Sequence, residues 1–269
     1  MASSSDGLAL ATQGLRRSFG DFVAVDGIDL AVPEGSFYGF LGPNGAGKST
    51  TIKCLTGLLR PSAGTVRILG LDPERDAVAV KRRVGVVPED LALFDRLTGA
   101  ENLAFVARVH GLERATFERR AAELLELLEL TDAAAVLAAD YSHGMKKKLS
   151  LAMSLLPSPR LLFLDEPFEG IDAVSSRLIK RFLHEFTGRG GTVFLTSHVL
   201  EIVERLADHV GILHKGRLVA QGPIAELRSQ RAATTAASGD GSGSLEDLFL
   251  GIVGASAHAE EHALAWLGA

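Results

Sequence analysis

The chain has 269 residues, 46% of them hydrophobic and 23% charged, a balance that excludes a disordered or fibrous protein and leaves enough length to bury a large core. A net charge of −5 gives no basic surplus for a nucleic-acid partner, and a single cysteine, Cys54, excludes an internal disulfide and fits a reducing compartment. No stretch approaches the roughly 20 uncharged apolar residues of a membrane span, and Met1 to Asp6 lacks the features of a secretory signal, so the expected location is the cytoplasm.

Strand-like runs at Leu8–Leu15 and Val23–Val32 come first, followed by a short apolar strand over Ser36–Leu41. Next stands Gly42-Pro43-Asn44-Gly45-Ala46-Gly47-Lys48-Ser49-Thr50, which matches the phosphate-loop pattern G-x-x-x-x-G-K-[ST]. Small residues let successive backbone N–H groups converge on phosphate oxygens, and a helix over Lys48–Leu59 adds the positive end of its dipole. Lys48 is placed to reach the β- and γ-phosphates and Ser49 to hold Mg²⁺ through its hydroxyl. Cys54 falls within that helix, where packing is its expected role.

Strands at Thr65–Leu69 and Val84–Val87 follow, and then from about Glu89 to Pro159 the patterns are helical only, as in a subdomain inserted into an α/β core. Its helices fall at Ala100–His110, Arg114–Leu130 and Gly144–Leu155. The last opens with Tyr141-Ser142-His143-Gly144-Met145, a Ser and a Gly at a helix start, which suits an anion. Lys146, Lys147 and Lys148 are expected on its wet face.

The apolar strand Leu161–Leu164 ends in Asp165 and Glu166, one carboxylate for a metal and the next to activate water. Taken alone, such a strand end reads equally as a solvated loop. Thr192–Thr196 ends before Ser197-His198, a position from which His198 can sense a γ-phosphate, although a lone His is more often structural. Helices Ala173–Phe186 and Val199–Leu206, strands Val210–Leu213 and Arg217–Ala220, and a helix at Ile224–Ser229 complete an α/β alternation around a parallel sheet. Residues 231–244 are rich in Ala, Thr, Ser and Gly and read as a flexible linker; residues 245–269 read as a helical tail, expected to pack on its own domain.

This ordered set of motifs, over Leu8 to Ser229, resembles the nucleotide-binding subunit of an ABC transporter. The resemblance implies a P-loop NTPase core over residues 1–230 with a parallel central sheet, an antiparallel β portion and the inserted helical subdomain. It implies ATP and Mg²⁺ as cofactors, with Phe19 stacking on adenine and residues 42–50 around the phosphates. Glu166 becomes the base, His198 the γ-phosphate contact, and Ser49, Glu89 and Asp165 the metal set. Ser142 and Gly144 would meet the γ-phosphate held by a second ATPase subunit in an ATP-dependent homodimer, and Asp172 would pass messages between the two sites. A membrane permease would contact the insert near Glu89 to Leu103, keeping the chain peripheral on the cytoplasmic face of the membrane.

The sequence departs from the family pattern at three places. Tyr141, His143 and Met145 replace Leu, Gly and Gln, Glu169 stands where Ser or Asn is usual, and Glu89 replaces a neutral Gln. An extra charge at Glu89 predicts slow or pH-sensitive turnover. The pattern is similar to that of ATPases serving exporters of drugs, antibiotics, lipids or polysaccharides. A soluble ATPase for cofactor assembly and an importer subunit remain as alternatives.

Overall fold

Strands that are apolar on both faces need cover on both faces. In the computed structural model, which describes residues 7–235 together with Glu246, Phe249 and Gly251, two sheets and a set of helices provide that cover. The strands are β1 (Leu8–Phe19), β2 (Phe22–Ile28), β3 (Ala31–Pro33), β4 (Phe37–Leu41), β5 (Ala63–Ile68), β6 (Val84–Val87), β7 (Leu161–Asp165), β8 (Thr192–Ser197), β9 (His209–His214) and β10 (Arg217–Pro223). The α-helices are α1 (Lys48–Leu55), α2 (Ala77–Lys81), α3 (Gly99–His110), α4 (Arg114–Leu127), α5 (His143–Leu155), α6 (Ala173–Gly188), α7 (Leu200–Leu206) and α8 (Ile224–Thr235).

One sheet has the order β10-β9-β4-β8-β7-β6; it is parallel except for β10, which pairs antiparallel with β9. β4, β7 and β8 are buried at every position, and their side chains divide by the period of two between opposite faces. Phe37, Leu41, Leu162, Leu164, Val193 and Leu195 join the core beneath the helices. Tyr38, Phe40, Phe163 and Phe194 join a second core against the antiparallel sheet formed by β1 with β2, β3 and β5. Phe194 sits among the other three rings at centroid distances of 5.2 to 5.5 Å. Cys54 is buried in this second core.

Between residues 89 and 159 the regular elements are helices, as expected. α3 starts at a reciprocal capping box, Thr98 with Glu101, and stops at Gly111 in the left-handed conformation. Several elements differ from the sequence reading: β1 runs on to Phe19, and the run expected as one strand over Val23–Val32 is two strands, β2 and β3. α1 stops at Leu55 rather than Leu59, because Gly57 turns the chain at φ 75°. α2 was not expected; five residues are too few to show a period. α8 runs on through Thr235, so residues 231–235 of the expected linker are helical, in keeping with their alanines. The rest of the linker and tail lies outside the described residues except for Glu246, Phe249 and Gly251, and Phe249 packs against the core beneath the helices. Among the described residues no helix is long and apolar enough to cross a membrane.

Candidate functional site

In an open parallel sheet the loops after adjacent strands converge at one edge. The adjacent strands here are β4, β8, β7 and β6. Their ends carry, in that spatial order, the loop at residues 42–47, then His198, then Asp165 with Glu166, then Glu89. Sheet order thus joins four segments that the sequence keeps far apart.

The loop after β4 is shaped by its glycines. Gly47 has φ 108°, and a Cβ there would overlap the Ala24 carbonyl oxygen. A Cβ on Gly42 would lie 2.5 Å from the Leu213 oxygen. Pro43, Asn44 and Gly45 form the outer turn, closed by the Ala46 N–H donating to the Pro43 oxygen at 3.1 Å. Gly47 caps α1 without a side chain, so the first-turn amides, including those of Ser49 and Thr50, have no side-chain acceptor. Lys48 is buried and donates to the Gly42 and Pro43 oxygens at 2.7 and 3.4 Å.

Glu166 sits below this loop, buried at 7% exposure, with its backbone at φ 47°. That is a left-handed conformation rare for a side chain of this kind. Its Oε1 lies 3.5 Å from Lys48 Nζ and has no hydrogen-bond partner of its own. Its Oε2 lies 3.1 Å from His198 Nδ1, and His198 is partly exposed. Thr196 accepts the Glu166 N–H at 3.1 Å and donates to Asp165 Oδ1 at 2.5 Å. The Ser49 hydroxyl is 3.4 Å from both Glu89 Oε2 and Asp165 Oδ1. A hydroxyl beside two carboxylates fits a hard divalent cation. Among the described residues no three His, Cys, Asp or Glu side chains converge to hold a metal by themselves, so this set suits an ion shared with phosphate and water.

Two further groups stand apart. Ser142 caps α5, accepting from Met145 N at 3.2 Å. Asp172 caps α6, accepting from the Val174 and Ser175 amides at 2.9 and 2.8 Å, and these bonds, with Ser175 foremost, hold its carboxyl below the usual range. A Cβ on Gly144 would be 3.5 Å from Asp172 Oδ2, so these two caps adjoin. Among the described residues no hydrogen bond joins Ser142 or Gly144 to residues 42–50. Phe19, 44% exposed at the end of β1, has the Arg17 guanidinium 4.5 Å from its ring centroid.

Sequence reasoning missed Thr196 and Lys147. A hydroxyl at the C-terminal end of the apolar run Val193–Leu195 was the available signal for Thr196. The lysine run is not a wet face: Lys147 and Lys148 are buried, at 5% and 7% exposure. Lys147 lies four residues before Leu151, on the buried stripe of α5, which was the legible sign. It donates to the Glu166 and Glu169 carbonyl oxygens at 2.8 and 2.6 Å.

The family model described as ABC transporter matches residues 25–169. The chain is 42% identical over 221 residues to the daunorubicin/doxorubicin resistance ATP-binding protein DrrA of Streptomyces peucetius, covering 82% of this chain and 67% of that one. It is 36% identical over 222 residues to the bacitracin transport ATP-binding protein BcrA of Bacillus licheniformis, covering 82% and 72%. A solved structure of the ATP-binding subunit of an ABC transporter superposes with a TM-score of 0.82 at 31% identity, covering 91% of this chain and 99% of that one.

Proposed function

The chain belongs to the ABC transporter family as an ATP-binding, ATP-hydrolysing subunit of the exporter type, and on that premise we propose how its residues do the work. The observation that carries the proposal is the position of Glu166, a buried carboxylate between Lys48 and His198 at the edge of the phosphate loop. Backbone N–H groups of residues 42–50 and the Lys48 ammonium hold the triphosphate, and the Phe19 ring stacks on the base. Ser49, Glu89 and Asp165 hold Mg²⁺, which when bound neutralises charge on the phosphate oxygens. Glu166 accepts the proton of the attacking water, and His198 orients Glu166 and the γ-phosphate. Thr196 holds the Asp165 carboxylate and the Glu166 backbone N–H together at the end of β7.

Two copies bind head to tail, each offering Ser142 and Gly144 to the γ-phosphate on the other, with Asp172 beside the joint. The permease docks on the inserted segment, where Phe94, in the loop before α3, and Phe105 of α3, their rings 4.5 Å apart, are exposed along with Val109. This keeps the chain on the cytoplasmic face of the membrane. The named relatives concern daunorubicin/doxorubicin resistance and bacitracin transport, which supports an exported cargo that is a drug, lipid, polysaccharide or similar substrate.

The test is Glu166→Gln. The expected result is a loss of ATP hydrolysis by about a hundredfold or more, the scale of a lost general base, with ATP binding retained. Hydrolysis within about threefold of the parent would overturn the assignment of the base.

A further inference from the structure

We infer that Lys147 is a positioning residue for Glu166: its ammonium ties the helix that begins at Ser142 to the backbone of the catalytic carboxylate in the same chain. The inference rests on the proposed role of Glu166. A lysine on a surface helix normally extends into water and is almost never fully buried unless paired. Lys146, one residue earlier, reaches Asp95 at 3.6 Å near the surface, and Lys148, one residue later, pairs at 3.1 Å with Glu129, which is 60% exposed. Lys147 instead turns inward and ends on two main-chain oxygens, those of Glu166 and Glu169.

The first of these bonds matters because of the Glu166 backbone. A glutamate at φ 47° keeps that conformation only if its surroundings impose it. Here the peptide before Cα is held through its N–H by Thr196, and the peptide after Cα is held through its carbonyl by Lys147. With both peptides fixed, the direction of the Glu166 side chain is fixed as well. Release of the Lys147 bond lets the second peptide rotate and moves the carboxylate relative to Lys48 and His198.

The head of α5 meets the same loop again. A Cβ on Gly170, which has φ 67°, would lie 3.0 Å from His143 Cδ2, and Gly144 adjoins Asp172. Residues 142–147 and 166–172 thus meet at three places, through Lys147, His143 and Gly144. Phosphate binding at Ser142 and Gly144 shifts the helix, and Lys147 delivers that shift to Glu166. Burial pushes the Lys147 ammonium downward in pKa, while Glu169, Glu166 and Glu89 oppose the shift.

The experiment compares Lys147→Met with Lys148→Met in the full chain, with the second as a control of similar burial that does not touch Glu166. For Lys147→Met, kcat for ATP hydrolysis should fall about tenfold to a hundredfold, the scale of a misplaced catalytic group. KM for ATP should stay within about threefold, because the phosphate loop is untouched. Lys148→Met should lower thermal stability while keeping kcat within about threefold of the parent. Should Lys147→Met fail to fold, Lys147→Gln, whose amide carries two N–H donors but no charge and ends one bond short of the lysine nitrogen, takes its place with the same expected split. A kcat for the Lys147 variant near the parent value overturns the inference, and so does an equal loss in both variants. If Glu166→Gln leaves hydrolysis intact, the reading of the base fails instead, and the inference falls with it.

Discussion

At Gly47 a single hydrogen atom decides the shape of the phosphate loop. The residue combines φ 108° with a backbone oxygen, that of Ala24, where a Cβ would stand. Gly47→Ala must therefore shift the backbone and turn the first amides of α1 away from their common focus. The expected cost is about 1 to 3 kcal/mol of folding stability, read by urea denaturation, together with a fall in ATP affinity of about tenfold or more, read by calorimetry. Gly45→Ala is the comparison: φ is 78° but the space is open, so it keeps the backbone strain and lacks the collision. An equal effect at both positions would remove the steric part of the argument. Residues of this kind were legible because the loop is contiguous, and the pattern at Gly42 to Ser49 spells its own chemistry. The hydroxyl of Thr196 and the ammonium of Lys147 were not. Each acts through a neighbour that only sheet order or helix phase brings near, across 31 and 19 positions of sequence.

Elements are set by their ends as much as by their faces. α6, the longest helix among the described residues, starts at Asp172, whose carboxylate accepts from two first-turn amides. Its folded pKa lies below the ordinary value, so the cap stabilises the protein above the unfolded-state pKa of about 3.9. That contribution is lost as pH falls through the lower, folded value. Asp172→Ala should lower the urea midpoint near neutral pH, and its deficit relative to the parent should shrink on acidification. Asp172→Asn should keep most of the cap. A deficit for Ala that does not change with pH would show that the charge contributes nothing. At this scale the sequence was informative wherever apolar runs were long. β4, β7 and β8 stand where the continuous apolar runs predict them. It erred at α1, where Gly57 ended a pattern that hydrophobicity alone continued, and at α8, where alanines suited to a linker are equally good helix formers.

For the molecule as a whole, the arrangement of the two anion-seeking regions has a consequence for assembly. Residues 42–50 lie at the edge of the parallel sheet, whereas Ser142 and Gly144 open a helix of the insert and hydrogen-bond nowhere to that loop. In the proposed head-to-tail dimer a second copy presents its own α5 to the triphosphate, and ATP becomes part of the joint. Glu166→Gln with ATP should therefore elute as a dimer, and without ATP as a monomer. Gly144→Asp in the same background tests the joint directly. An acid in the first turn of α5 faces the positive end of the helix dipole, so the fold should survive. It also sets a carboxylate beside Asp172, since the Cβ would be 3.5 Å from Asp172 Oδ2, and against an incoming γ-phosphate. Like charges at that range oppose association more strongly once water is excluded. The double variant should bind ATP with an affinity within about threefold of its parent yet remain monomeric by gel filtration. A dimer that persists would place the joint elsewhere. Loss of ATP binding along with the dimer would mean that α5 acts on the nucleotide of its own chain, against the geometry in which the helix and the loop share no hydrogen bond.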